Sequence, residues 1–135
     1  MTYDISCIYR MLYANNIDMS ITRMTAGRLR CLFEVFPAVV VTGARQVGKS
    51  TLVSDLFGQR AEHIIFDPLL DIGNARQDPE LFLNNHKTPL ILDEIQYAPE
   101  LVPVIKRRLD RDKKPGQYIL TGSQQWQVMK TIAES

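Results

Sequence analysis

The run Ala38-Val39-Val40-Val41-Thr42 leads directly into Gly43-Ala44-Arg45-Gln46-Val47-Gly48-Lys49-Ser50, and Thr51 to Phe57 then carry apolar side chains at helical spacing. Buried strand, glycine-bounded loop and amphipathic helix in immediate succession constrain the fold more than any other stretch of the chain. A strand that delivers the chain to a tight turn opening a helix points the helix's first N–H groups, which have no partner within the helix, at one spot in space. That spot suits an anion. Gly43 and Gly48 permit backbone angles and close approach that a Cβ would obstruct, and the amides between them form a concave set of donors. The loop therefore predicts a phosphate cradle. Lys49 is expected across the β- and γ-phosphates, the Ser50 hydroxyl on Mg²⁺, and Thr51 near the α-phosphate. Gly58 is placed to end the helix.

A second motif, Pro89-Leu90-Ile91-Leu92-Asp93-Glu94, has four residues of buried-strand character ending in two adjacent carboxylates. Alone, such a pair is often an exposed acidic strand end. After a phosphate loop it reads differently. Asp93, at the end of a strand expected beside the loop, is placed to hold Mg²⁺ through its water shell. Glu94 points elsewhere and is placed to polarise a water for attack on the γ-phosphate. The Asp-Glu pair, with no Asn-Lys-x-Asp stretch for reading guanine, favours ATP over GTP. The third cluster, Thr121-Gly122-Ser123-Gln124-Gln125, follows the apolar run Tyr118-Ile119-Leu120. Ligands of open α/β sheets bind at the carboxyl ends of strands, so Ser123 or Thr121 can report a γ-phosphate there. Equally, the same residues can simply cap the next helix.

These three stretches, 43–52, 92–96 and 120–124, closely resemble in order and spacing the AAA-type P-loop ATPase family of bacteria and archaea, whose members usually carry a C-terminal domain of unknown function. The resemblance runs from about Ile21 to Ser135. It implies an α/β, AAA-like P-loop NTPase fold with a parallel sheet flanked by helices, and a cytoplasmic protein with ATP and Mg²⁺ as ligands. Gly43 to Thr51 would be the phosphate loop, Asp93 and Glu94 the metal and water residues, and Ser123 the sensor; a homo-oligomer is a further possibility. Gln96 matches the motif without an assigned role. Ala44 replaces a proline common there, a small change where only the amide is needed. Family members continue well past Ser135, so a fifth strand, a helical lid, any arginine finger and the C-terminal domain are expected to be missing. The chain then reads as truncated, with strand 38–42 left at an apolar edge. Three outcomes stay open: an ATP-hydrolysing core, a nucleotide-gated binding module, or an inert remnant.

Elsewhere the chain alternates strand and helix signals, which means a parallel sheet with helices on both faces. Residues from Thr22 to Phe36 suggest a helix, His63 to Asp67 a second strand, and Asp78-Pro79-Glu80 a capped helix start. Pro99 or Pro103 opens a helix through Leu109, and Lys114-Pro115-Gly116 turns into the next strand. Gln127 to Ala133 reads as a last helix, and residues 1–20 as an extension without a clear period. A hydrophobic content of 45% suffices for a core in 135 residues, and a net charge of +1 leaves no electrostatic footprint for nucleic acid. The basic run Lys106, Arg107, Arg108, Arg111, Lys113 and Lys114 is interrupted by Asp110 and Asp112 and reads as a solvated helix face. Cys7 and Cys31 are too few, and His63 and His86 too far apart, for a zinc site. No stretch has membrane-spanning length, and the first residues lack the apolar core of about 7–15 residues after a basic start that a signal peptide is expected to show.

Overall fold

The computed structural model describes residues 19–123, with side chains from residue 25 onward. Residues 1–18 and the expected helix at 127–133 lie outside the described residues. The elements in chain order are α1 (Met19–Val35), β1 (Ala38–Thr42), α2 (Lys49–Phe57), β2 (Glu62–Ile65), α3 (Pro79–Asn85), β3 (Leu90–Asp93), α4 (Leu101–Arg111) and β4 (Tyr118–Gly122). Two 3-10 turns, Ile72–Asn74 and Ile95–Tyr97, complete the path.

The four strands form one parallel sheet in the order β1-β4-β3-β2. β4, which carries Ile119 and Leu120, lies beside the phosphate-loop strand β1 and separates it from β3, the strand of Asp93. Among the described strands, β1 and β2 are the edges.

Strand period two divides the core into two layers. Val39, Val41, Ile91 and Ile119 pack with Leu29 and Phe33 of α1 and Val53 and Phe57 of α2. Phe33 and Phe57 meet with ring centroids 4.8 Å apart. On the other face Leu90, Leu92, Tyr118 and Leu120 pack with Phe82 and Leu83 of α3 and Leu101, Val102, Val104 and Ile105 of α4. Helices thus cover both faces, as parallel strands buried on both sides require.

Local chemistry sets the helix ends. Asp78 caps α3, its carboxylate accepting from the Leu81 N–H at 3.0 Å with Pro79 in the first turn. Asp67 accepts from the Leu69 and Leu70 N–H groups and turns the chain after β2. β2 itself stops at Ile65, before the expected Asp67. Neither Pro99 nor Pro103 opens α4: Pro99 precedes the Glu100 cap, and Pro103 sits inside the first turn, where its missing N–H has no helical partner to lose. Gly58 does follow α2, yet with right-handed angles rather than a left-handed cap. What excludes a side chain there is the Ser54 carbonyl oxygen, 2.5 Å from where a Cβ would stand.

Candidate functional site

Because the strands are parallel and in register, with Thr42 opposite Gly122 and Ile65 opposite Asp93, their carboxyl ends lie along one edge. The phosphate loop, Glu94 and Ser123 all leave from that edge. Alternation then selects which side chains face the loop helix. Asp93 shares parity with Ile91, and Thr121 with Ile119, so both project toward the layer containing α2.

The loop 43–48 ends in Gly48, which caps α2 with φ 83 and ψ 21, a left-handed conformation costly for residues with a Cβ. Gln46 is also left-handed, at φ 61. Lys49 is buried, and its ammonium donates to the carbonyls of Gly43 (2.9 Å) and Ala44 (2.6 Å), folding the charge over the loop. Arg45 extends from the loop to the Tyr97 hydroxyl.

Asp93 is fully buried. The Thr121 hydroxyl donates to Oδ1, His63 Nε2 lies 3.1 Å from Oδ2, and the Ser50 side chain is near enough to influence the same carboxylate. Burial pushes the carboxyl pKa upward. The polar influence of Ser50, the hydrogen bonds from Thr121 and His63, and the favourable charge of His63 outweigh that and hold it below the ordinary carboxylate value. The two residues expected at a metal therefore lie near one another, with the Ser50 side chain among the groups that lower the Asp93 pKa. A hydroxyl and a carboxylate are the hard oxygen donors Mg²⁺ takes alongside phosphate and water. Among the described residues no group of three or more His, Cys, Asp or Glu side chains forms a larger metal cluster.

Thr121 has no exposed surface and spends its hydroxyl twice: it donates to Asp93 and accepts from the Glu94 N–H at 3.1 Å. Of the two hydroxyls considered for a γ-phosphate sensor, Ser123 is the one at the partly open rim. Glu94 itself is left-handed (φ 60, ψ 46), a placement that costs about 1 kcal/mol or more for a non-glycine residue. That twist ends the strand and turns Glu94 out of line with Asp93. The Gln96 amide donates to Glu94 Oε2 and to Ser123 Oγ, the latter at 3.2 Å.

Thr51 lies exposed in the first turn of α2. Sequence reasoning gave no role to His63, Gln96 or Tyr97, all of which reach this site. The one available signal was placement: His63 opens an apolar strand run, and Gln96 and Tyr97 follow the acidic pair within one turn. The basic helix face is partly engaged, since Arg107 and Arg108 of α4 reach Glu80 of α3 at 3.5 and 3.1 Å. A groove of about 320 Å³ lined by Phe33, Glu34, Arg60, Pro89, Pro115 and Gly116 opens at the opposite, amino-terminal end of the strands, remote from this chemistry. No described helix is long and apolar enough to cross a membrane.

Comparison with known proteins agrees with the geometry. The AAA domain family matches residues 35–135. Uncharacterised proteins of Mycobacterium bovis and Mycobacterium tuberculosis are each 35% identical over 114 residues, 84% of this chain. The chain spans 26% of the length of those two relatives. A family match over most of the chain, laid on a parallel sheet with a glycine-bounded loop, makes this protein a member of the AAA domain family of P-loop ATPases.

Proposed function

We infer that residues 21–135 form an ATP-binding domain that works with Mg²⁺, and that the AAA-type protein it represents hydrolyses ATP. The approach of the Ser50 side chain to the buried Asp93 carboxylate carries this reading: two motifs far apart in sequence converge at the mouth of the loop. The amides of 43–48 and the N-terminus of α2 would bind the β- and γ-phosphates, with Lys49 moving from the loop carbonyls onto them. Gly43 fits such an approach, because a Cβ there meets only ordinary contacts within the chain, 3.5 Å from Lys49 and Val47, so packing alone does not demand glycine. Ser50 and Asp93 would hold Mg²⁺, which neutralises charge on the phosphates when bound. Glu94 would orient and polarise the attacking water, and Ser123 would donate to the γ-phosphate.

Thermal unfolding of the chain with Mg-ATP, Mg-ADP or neither tests the reading, beside Lys49→Ala. Nucleotide at about a hundred times its dissociation constant stabilises by about 2.7 kcal/mol. A transition that rises with nucleotide in the parent chain and not in Lys49→Ala is the expected result. A cooperative transition blind to nucleotide refutes it. Hydrolysis is tested separately, by turnover that Glu94→Gln abolishes while binding persists. Binding without turnover in the parent would make the chain a nucleotide-gated module instead.

A further inference from the structure

Gln96 hydrogen-bonds to two parts of the site at once, Glu94 and Ser123. Its Nε2 bears two hydrogens, and the structure gives each an acceptor: Glu94 Oε2 and Ser123 Oγ. The orientation of the amide follows from charge, since turning it over would set the carbonyl oxygen against the Glu94 carboxylate. As it stands, Oε1 is buried with no hydrogen-bond partner. A buried orphan acceptor is unfavourable, so the two donated bonds are what hold the amide in this orientation. Gly122 supplies the space. A Cβ there would stand 3.0 Å from Gln96 Oε1, tighter than nine in ten real Cβ contacts, so the amide would have to give way. The glycine between Thr121 and Ser123 thus seats a residue from the loop after β3.

We propose that Gln96 is a positioning residue that couples Ser123 to Glu94, so that the group at the γ-phosphate position and the water-polarising carboxylate are set together. This rests on the nucleotide reading above. Ser123 accepts from Gln96, which leaves its own hydrogen available to donate. When that hydrogen goes to an anionic oxygen, the hydroxyl oxygen becomes a better acceptor, and the Gln96 bond tightens by hydrogen-bond cooperativity. The same amide then holds Glu94 Oε2 in one rotamer and leaves Oε1 for a water. Glu94 is half-buried and would otherwise sample several rotamers.

The test uses the full chain labelled with ¹⁵N, in which the Gln96 side-chain amide is identified by its loss in Gln96→Ala. Mg-bound non-hydrolysable ATP analogue should move this resonance and Mg-ADP should leave it nearly in place, with the difference lost in Ser123→Ala. Thermal unfolding of the same samples establishes that both nucleotides are bound. Equal responses to the two bound nucleotides, or none, would overturn the coupling. A parent chain that binds neither nucleotide refutes the nucleotide reading instead, and the coupling with it. Kinetics supply a second readout. Gln96→Ala should lower kcat about tenfold, a part of the 10²–10⁴ that general-base catalysis typically contributes, with KM changed by less than about twofold. Gly122→Ala should reproduce that defect by displacing the amide. Adding it to Gln96→Ala should cost nothing more, because the methyl then enters vacated space. Additive losses would place Gly122 outside this linkage and remove the steric part of the argument.

Discussion

Thr121→Val removes one hydroxyl from the centre of the site and preserves its shape. In the parent chain that hydroxyl donates to the buried Asp93 carboxylate and accepts from the Glu94 N–H. A hydrogen bond to a charged group contributes about 1.5–3 kcal/mol, and a buried N–H left without an acceptor is unfavourable by about 1–3 kcal/mol. Glu94 is only partly buried, so water can recover part of the second amount. The expected loss is therefore about 3 kcal/mol at neutral pH, or a fall of roughly 9–15 °C in Tm for a domain this size. The pH dependence has a definite sign. Asp93 has its pKa lowered from the ordinary 3.8 in the folded state. Its charge-linked contribution is present above that value and is lost as pH falls through the folded pKa. The gap between parent and variant should accordingly be full at pH 7 and narrow in acid below about pH 4. Urea unfolding at several pH values measures it directly. A loss under about 1 kcal/mol at pH 7, or a gap that widens in acid, would refute the described role of Thr121.

Two further outcomes are expected. Asp78→Ala removes the side-chain acceptor for the Leu81 N–H and should destabilise by about 1 kcal/mol, read by denaturant midpoint, with nucleotide affinity unchanged because α3 covers the sheet face away from the loop helix. Chelating Mg²⁺ should reduce the thermal stabilisation given by ATP, and Asp93→Asn should reduce it in the presence of Mg²⁺; an equal ATP shift with and without chelator would remove Ser50 and Asp93 from any metal role.

The segments legible in the sequence are those where one residue type has one physical use. Val39 to Val41 have no plausible place outside a buried strand, and left-handed Gly48 ahead of Lys49 fixes where α2 begins. Asp78-Pro79 marked its helix for the same reason. Strand order was less legible. β4 enters between β1 and β3 because of how the connecting helices divide between the two faces, and no residue in either strand encodes that division. His63 escaped notice because its partner is on the neighbouring strand, two residues away from its register mate Ile91. Gln96 escaped because its contacts depend on the left-handed turn at Glu94, which folds the chain back in a way no periodicity signals.

The pairing of β3 with β4, Leu90 opposite Tyr118 and Leu92 opposite Leu120, makes the hydrophobic core a gauge block for the chemistry. Sliding one strand by a single residue would carry Thr121 away from Asp93 and also exchange the helix layer each of its apolar side chains faces. Misalignment at the carboxyl-terminal edge of the sheet is therefore not a small adjustment but a wholesale unpacking. The placement of Thr121 against Asp93 is set by aliphatic side chains remote from the loop, and substitutions deep among them should surface as weakened nucleotide binding.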